Sequence, residues 1–135
     1  MGTPHIRVLI VDDNPDVAAS LAELLSLQSD MQSAGVLHRA DGLASHVTAT
    51  RPDVILLDLS MPGADPIQEL QSLASLEPPA RVVVCSAYED APRVKVAMDA
   101  GARGYVSKLD EVETILDAVR AVARGEIYVG RRTAS

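Results

Sequence analysis

The chain alternates short, solidly apolar runs with longer segments in which apolar residues recur every three or four positions. "IRVLIV" (Ile6–Val11), "DVILLD" (Asp53–Asp58) and "RVVVCS" (Arg81–Ser86) have the unbroken hydrophobicity of strands covered on both faces. "GYVSK" (Gly104–Lys108) predicts a shorter strand, and the weaker "MQSAGVLHR" (Met31–Arg39) predicts an outer one. Between them lie helical patterns with start signals. Asn14 can cap a helix whose first residue is Pro15, with Val17, Leu21, Leu24 and Leu25 along one stripe. Asp65–Pro66 repeats the device ahead of Ile67, Leu70, Leu73 and Leu76. Asp110 and Glu113 are spaced as a capping-box pair before a buried face of Val112, Ile115, Leu116 and Val119. Arg120 and Arg124 complement the negative end of that last helix, and Gly125 stops it. Asp41–Thr50 and Asp90–Ala100 supply two weaker helices.

Five strands, each followed by a helix, predict an α/β fold: a doubly wound, five-stranded parallel sheet with right-handed crossovers and helices on both faces. Such sheets bind ligands beyond the carboxyl ends of their strands, where the strand order reverses. Asp12, Asp13, Asp58, Ser86 and Lys108 all fall at predicted strand ends. Singly, each has a plainer reading: the acidic pair as helix caps, Ser86 as turn chemistry, Lys108 as a solvated surface lysine. Asp58 resists this, because a charge closing the apolar run "VILLD" is costly unless something binds there. Matched strand ends favour a shared site.

Composition narrows the function. The 135 residues, 47% of them hydrophobic, suit one domain, and no apolar run approaches a membrane span. A soluble intracellular protein is expected. The single Cys85 cannot form an intrachain disulfide and reads as a small buried hydrophobe; His5, His38 and His46 lack zinc-type spacing. A formal charge of −7, with neither Phe nor Trp, argues against this chain gripping nucleic acid by itself.

Three carboxylates brought together without His or Cys indicate a hard, oxygen-bound divalent ion, Mg²⁺ rather than zinc. A carboxylate nucleophile, a metal and a lysine together describe phosphoryl transfer onto an aspartate. Ser86 and Lys108 would each meet a phosphoryl oxygen.

These residues resemble the receiver domain of two-component response regulators, over roughly residues 7–128. The motifs are "VDD" after the first strand, "LLDLSMPG" around Asp58, "SA" at Ser86–Ala87 and "GARGYVSK" ending in Lys108. The resemblance implies a flavodoxin-like (βα)5 fold and a phosphoacceptor Asp58 loaded by a histidine kinase. It implies direct Mg²⁺ ligation by Asp13 and Asp58, help from Asp12 through water, and ligation by the backbone carbonyl of Ser60. Ser86 and Tyr105 would be a switch pair, Tyr105 rotating inward once the phosphoryl group draws the Ser86 hydroxyl. The domain would catalyse its own phosphorylation and dephosphorylation without being an enzyme on other substrates, and would form a homodimer when phosphorylated.

The ending "VSKLDEVETILDAVRAVARGEIYVG" is similar to the NarL/FixJ subfamily, which implies a cytoplasmic transcription regulator whose helix-turn-helix domain would contact DNA. Residues 129–135 then read as the start of a linker to an output domain that the chain does not include; a stand-alone receiver acting by protein contact is the alternative. Two departures stand out. Leu109 follows the lysine where many receivers have a cis proline, leaving that bond's isomer open, and Pro66 replaces a frequent glycine.

Three rivals fit less well. A haloacid-dehalogenase-like phosphatase would carry a second Asp two positions after the first-strand nucleophile, where Asn14 stands, and leaves Asp58 unused. A nucleotide-binding module needs a glycine-rich turn that "DDNPD" lacks. A pseudo-receiver would have lost an acidic or lysine position.

Overall fold

The computed structural model describes residues 5–61 and 65–130. Its elements are β1 (Ile6–Val11), α1 (Pro15–Ser26), β2 (Met31–Leu37), α2 (Leu43–Thr50), β3 (Val54–Leu57) and α3 (Pro66–Ala74). They continue with β4 (Val82–Ser86), α4 (Ala91–Asp99), β5 (Gly104–Ser107), α5 (Val112–Ala123) and β6 (Tyr128–Val129). All strands pair in parallel, in the order β2-β1-β3-β4-β5-β6. The weak second strand is an outer one, as its pattern predicts.

The unbroken strands divide their residues between two cores. Leu9, Val11, Ile55, Leu57, Val82, Val84 and Tyr105 face α2, α3 and α4. Val8, Ile10, Val54, Leu56, Val83, Cys85 and Val106 face α1 and α5. Side chains alternate across a strand, so a sheet sandwiched between helix layers needs apolar residues at every position.

Local chemistry sets the helix starts. Asn14 accepts hydrogen bonds from the backbone N–H groups of Asp16 (3.0 Å) and Val17 (3.2 Å), and Asp65 accepts from Ile67 (3.0 Å). The expected capping box on α5 does not form. Glu111 occupies the cap with no side-chain bond, because the Asp110 carboxylate turns back to accept from the Ser107 N–H at 2.8 Å. Val112 is 48% exposed, since it sits in the first turn, ahead of the buried stretch of α5. Gly125, at φ +87°, ends that helix as expected.

Gly101, between α4 and β5, lies against α3. A Cβ there would come within 2.5 Å of the Ala74 Cβ, and its φ is +118°. The two-residue β6 adds a strand to the five expected. Val129 and Gly130, placed in the tail by the sequence pattern, lie alongside β5, and the Gly130 N–H donates to the Tyr105 carbonyl at 2.9 Å. Residues 131–135, the rest of that tail, lie outside the described residues.

Candidate phosphoacceptor site

From β1 the chain crosses to β2 on one side, then returns past β1 to β3 on the other. The carboxyl ends of β1 and β3 therefore flank a switch point, where the surrounding connections diverge and leave a cleft. Asp12 and Asp13 follow β1 and Asp58 follows β3. One carboxylate oxygen from each lies within 4.8 Å of the others. Two like charges at that spacing repel by roughly 3 kcal/mol at an effective dielectric near 20.

Asp12 and Asp58 are each only 2% exposed. The Asn14 N–H donates to Asp12 Oδ1 (2.9 Å) and the Ser60 N–H donates to Asp58 Oδ1 (2.9 Å), so each turn fixes its own carboxylate. Asp13 is exposed. The sequence-predicted cation is in place: Lys108 Nζ lies 3.0 Å from Asp12 Oδ2 and 3.2 Å from Asp58 Oδ2. Burial raises the Asp58 carboxyl above its ordinary range, against the pull of the Ser60 N–H and Lys108. Burial acts against the Lys108 charge as well, yet the Asp12 hydrogen bond and the Asp58 field outweigh it and hold the ammonium above its usual pKa.

The turn carrying Lys108 is held by backbone bonds. The Lys108 N–H donates to the Ser86 carbonyl (2.8 Å), and the Leu109 N–H donates to Ser107 Oγ (3.0 Å), a bond that a proline could not make. Among the described residues the only cis peptide bond is Glu77–Pro78, so Lys108–Leu109 is trans.

Ser86 ends β4, the neighbour of β3, fully buried, and its Oγ accepts from the Tyr88 N–H at 3.1 Å. Tyr105 is already inside: it is 0% exposed, and its hydroxyl donates to the Tyr88 carbonyl at 2.9 Å. Burial raises the phenol's pKa, and the adjacent Ser86 hydroxyl works the other way. Pro66, Ile67, Ser86, Tyr88, Arg93 and Tyr105 border a cavity of about 320 Å³ beneath this loop. On its wall the Arg93 guanidinium stacks 3.9 Å from the Tyr88 ring centre.

Cys85 is buried and pushed up to about 12 by burial, in keeping with a packing role. His38 is the residue the sequence passed over. Its Nδ1 lies 3.0 Å from the backbone carbonyl oxygen of Asp12. Asp12, Asp13, Asp58, Ser86 and Lys108 lie at or just past the carboxyl ends of β1, β3, β4 and β5, with Ser60 two residues beyond Asp58. No helix among the described residues is long and apolar enough to cross a membrane.

Comparisons with known proteins agree with this geometry. The family model for the response regulator receiver domain matches residues 8–120. The transcriptional regulatory protein YxjL of Bacillus subtilis is 32% identical over 135 residues, covering 100% of this chain and 62% of its own length. The signal receiver domain of NarL from Mycobacterium tuberculosis is 30% identical with a TM-score of 0.77, covering 87% of this chain and 98% of that one. A LuxR-family two-component response regulator from Aurantimonas sp. SI85-9A1 shares the fold at a TM-score of 0.90 and 23% identity, over 96% of this chain and 93% of that one. The chain spans about three-fifths of the length of the curated relatives it matches. With its parallel sheet, acidic switch point and facing lysine, the chain belongs to the response regulator receiver domain family.

Proposed function

We propose that Asp58 accepts a phosphoryl group from the phosphohistidine of a histidine kinase. The observation that carries this is Asp58 itself, a nearly buried carboxylate at the switch point, facing Lys108 and crowded by Asp12 and Asp13. An Asp58 oxygen attacks phosphorus as the phosphorus–nitrogen bond breaks. The electron pair leaves on the imidazole, which takes up a proton from solvent. Lys108 and the Ser86 hydroxyl meet the phosphoryl oxygens and draw off charge as it develops. Attack by water on phosphorus later returns Asp58 as a free carboxylate, so the domain catalyses both loading and unloading of itself.

The donor set fits Mg²⁺: every side-chain donor is oxygen, and one ammonium leaves the three carboxylates undercompensated. Asp12, Asp13, Asp58 and the Ser60 carbonyl would hold the ion. When bound, it would neutralise the cluster and the incoming phosphoryl oxygens. The proposal extends to a downstream step, in which the phosphorylated domain homodimerises and passes its signal to a DNA-binding output domain in the cytoplasm; the likeness to YxjL, a transcriptional regulatory protein longer than this chain, supports that reading.

Intact mass after incubation with acetyl phosphate tests the site. Wild type gains a single phosphoryl group only with Mg²⁺ present, and Asp58→Asn gains none while keeping its fold. Equal modification of the variant would move the acceptor elsewhere.

A further inference from the structure

We propose that His38 is a positioning residue for the acidic pair, holding the peptide unit between Asp12 and Asp13 in the orientation that aims Asp13 into the cleft. The inference rests on reading the acidic cluster as a cation site. His38 follows directly on β2, and its Nδ1 lies 3.0 Å from the Asp12 carbonyl oxygen. A carbonyl only accepts, so Nδ1 carries the hydrogen and Nε2 is left with its lone pair in the neutral ring. The same turn is gripped from its other side, where the Asp12 N–H donates to the Leu37 carbonyl at 2.9 Å. Two consecutive residues at the end of an edge strand thus clamp the backbone of Asp12 fore and aft.

The clamp matters unequally for the two carboxylates. Asp12 has its own side-chain anchors, the Asn14 N–H and the Lys108 ammonium. Asp13 is exposed, and its carboxylate direction follows from the backbone that carries it. The Asp12 carbonyl belongs to the peptide unit joining the two residues, so a rotation of that unit would swing Asp13 away while leaving Asp12 held by its lysine. His38 fixes that rotation. Ligating residues are commonly oriented by such outer partners, whose loss costs about 10- to 100-fold in metal affinity.

His38 is itself exposed, so substitution there leaves the core untouched. The experiment is an Mg²⁺ titration of wild type, His38→Leu and His38→Asn, by calorimetry and by amide NMR of Asp12, Asp13 and Asp58. An Asn amide nitrogen sits where His carries Nδ1 and can donate to the same carbonyl, whereas Leu keeps bulk without a donor. The expected result is at least about tenfold weaker Mg²⁺ binding in His38→Leu, most of it restored in His38→Asn. In metal-free His38→Leu the Asp13 amide signal shifts and the Asp58 signal does not. Wild-type affinity in His38→Leu, or Asn as weak as Leu, overturns the positioning role while leaving the cation site standing. Absence of Mg²⁺ binding in wild type overturns the cation site and this inference with it.

Discussion

The Tyr105 hydroxyl donates to the Tyr88 backbone carbonyl at 2.9 Å, tying β5 to the loop after β4 across 17 residues of sequence. Tyr88 is gripped three times, because its N–H donates to Ser86 Oγ and its ring lies under Arg93. Any movement of the Ser86 hydroxyl toward a phosphoryl group releases one of these grips. Ser86→Ala and Tyr105→Phe should each lower stability by about 1 kcal/mol in urea unfolding. Ser86→Ala should still load phosphate on Asp58 but respond less to beryllofluoride, a phosphoryl mimic, in sedimentation. An unchanged response would remove Ser86 from the relay.

The two members of the acidic pair should behave differently when neutralised. Asp13→Asn relieves repulsion without breaking an ion pair, so the metal-free protein gains about 0.5 kcal/mol. Asp12→Asn removes a partner of Lys108 and gains nothing. Both lose Mg²⁺ affinity. Thermal melts with and without Mg²⁺ separate the cases, and equal gains for the two variants would contradict the geometry.

Lys108→Met leaves two nearly buried carboxylates facing each other without their cation. Metal-free stability should fall by roughly 3 kcal/mol, the scale for stranding a buried charge. Mg²⁺ should return part of the loss. Denaturant curves with and without the ion measure this, and a variant as stable as wild type without metal would show that the pairing contributes nothing.

Away from the site, Arg120 on α5 donates through Nε to Asp30 Oδ2 at 2.8 Å and through Nη2 to Asp30 Oδ1 at 3.2 Å. The Arg120 hydrogen bond holds the Asp30 carboxyl below its usual range, against an opposing effect of burial, with His5 adding a smaller pull. A depressed folded-state pKa gives stability that is fully present above the unfolded value, near 3.9, and lost as pH falls through the folded one. Wild type should exceed Asp30→Asn by about 0.5–1 kcal/mol at pH 7. The margin should close at acid pH, although Asp117, 3.7 Å from Arg120, keeps the arginine partly paired in the variant. A margin that widens in acid would reverse the assignment.

The sheet and the acidic edge with its facing lysine were legible in the sequence because both depend on local pattern. Strands covered on both faces must be apolar throughout, and a charge after such a run marks a strand end. Asn14 and Asp65 were legible as caps for the same reason: their partners lie two or three residues away. What escaped depends on partners that spacing does not reveal. Asp110 had two nearby uses and took the Ser107 N–H over the helix cap. Arg120 reads as a dipole complement, yet its partner Asp30 is 90 residues away. His38 bonds to a backbone carbonyl just past the end of the neighbouring strand β1, which no side-chain motif announces. A two-residue strand such as β6 is shorter than any periodicity can detect.

The chain's only thiol has a use that its burial creates. Cys85 lies in β4 against α5, 4% exposed and with its acidity suppressed. A thiol so placed reacts with an alkylating reagent only in molecules whose central strand has come away from that helix. Its labelling rate is therefore a clock for opening of the sheet itself, readable on the unmodified protein. Run with and without Mg²⁺ or beryllofluoride, the same clock reports how far events at the acidic edge tighten the middle of the fold.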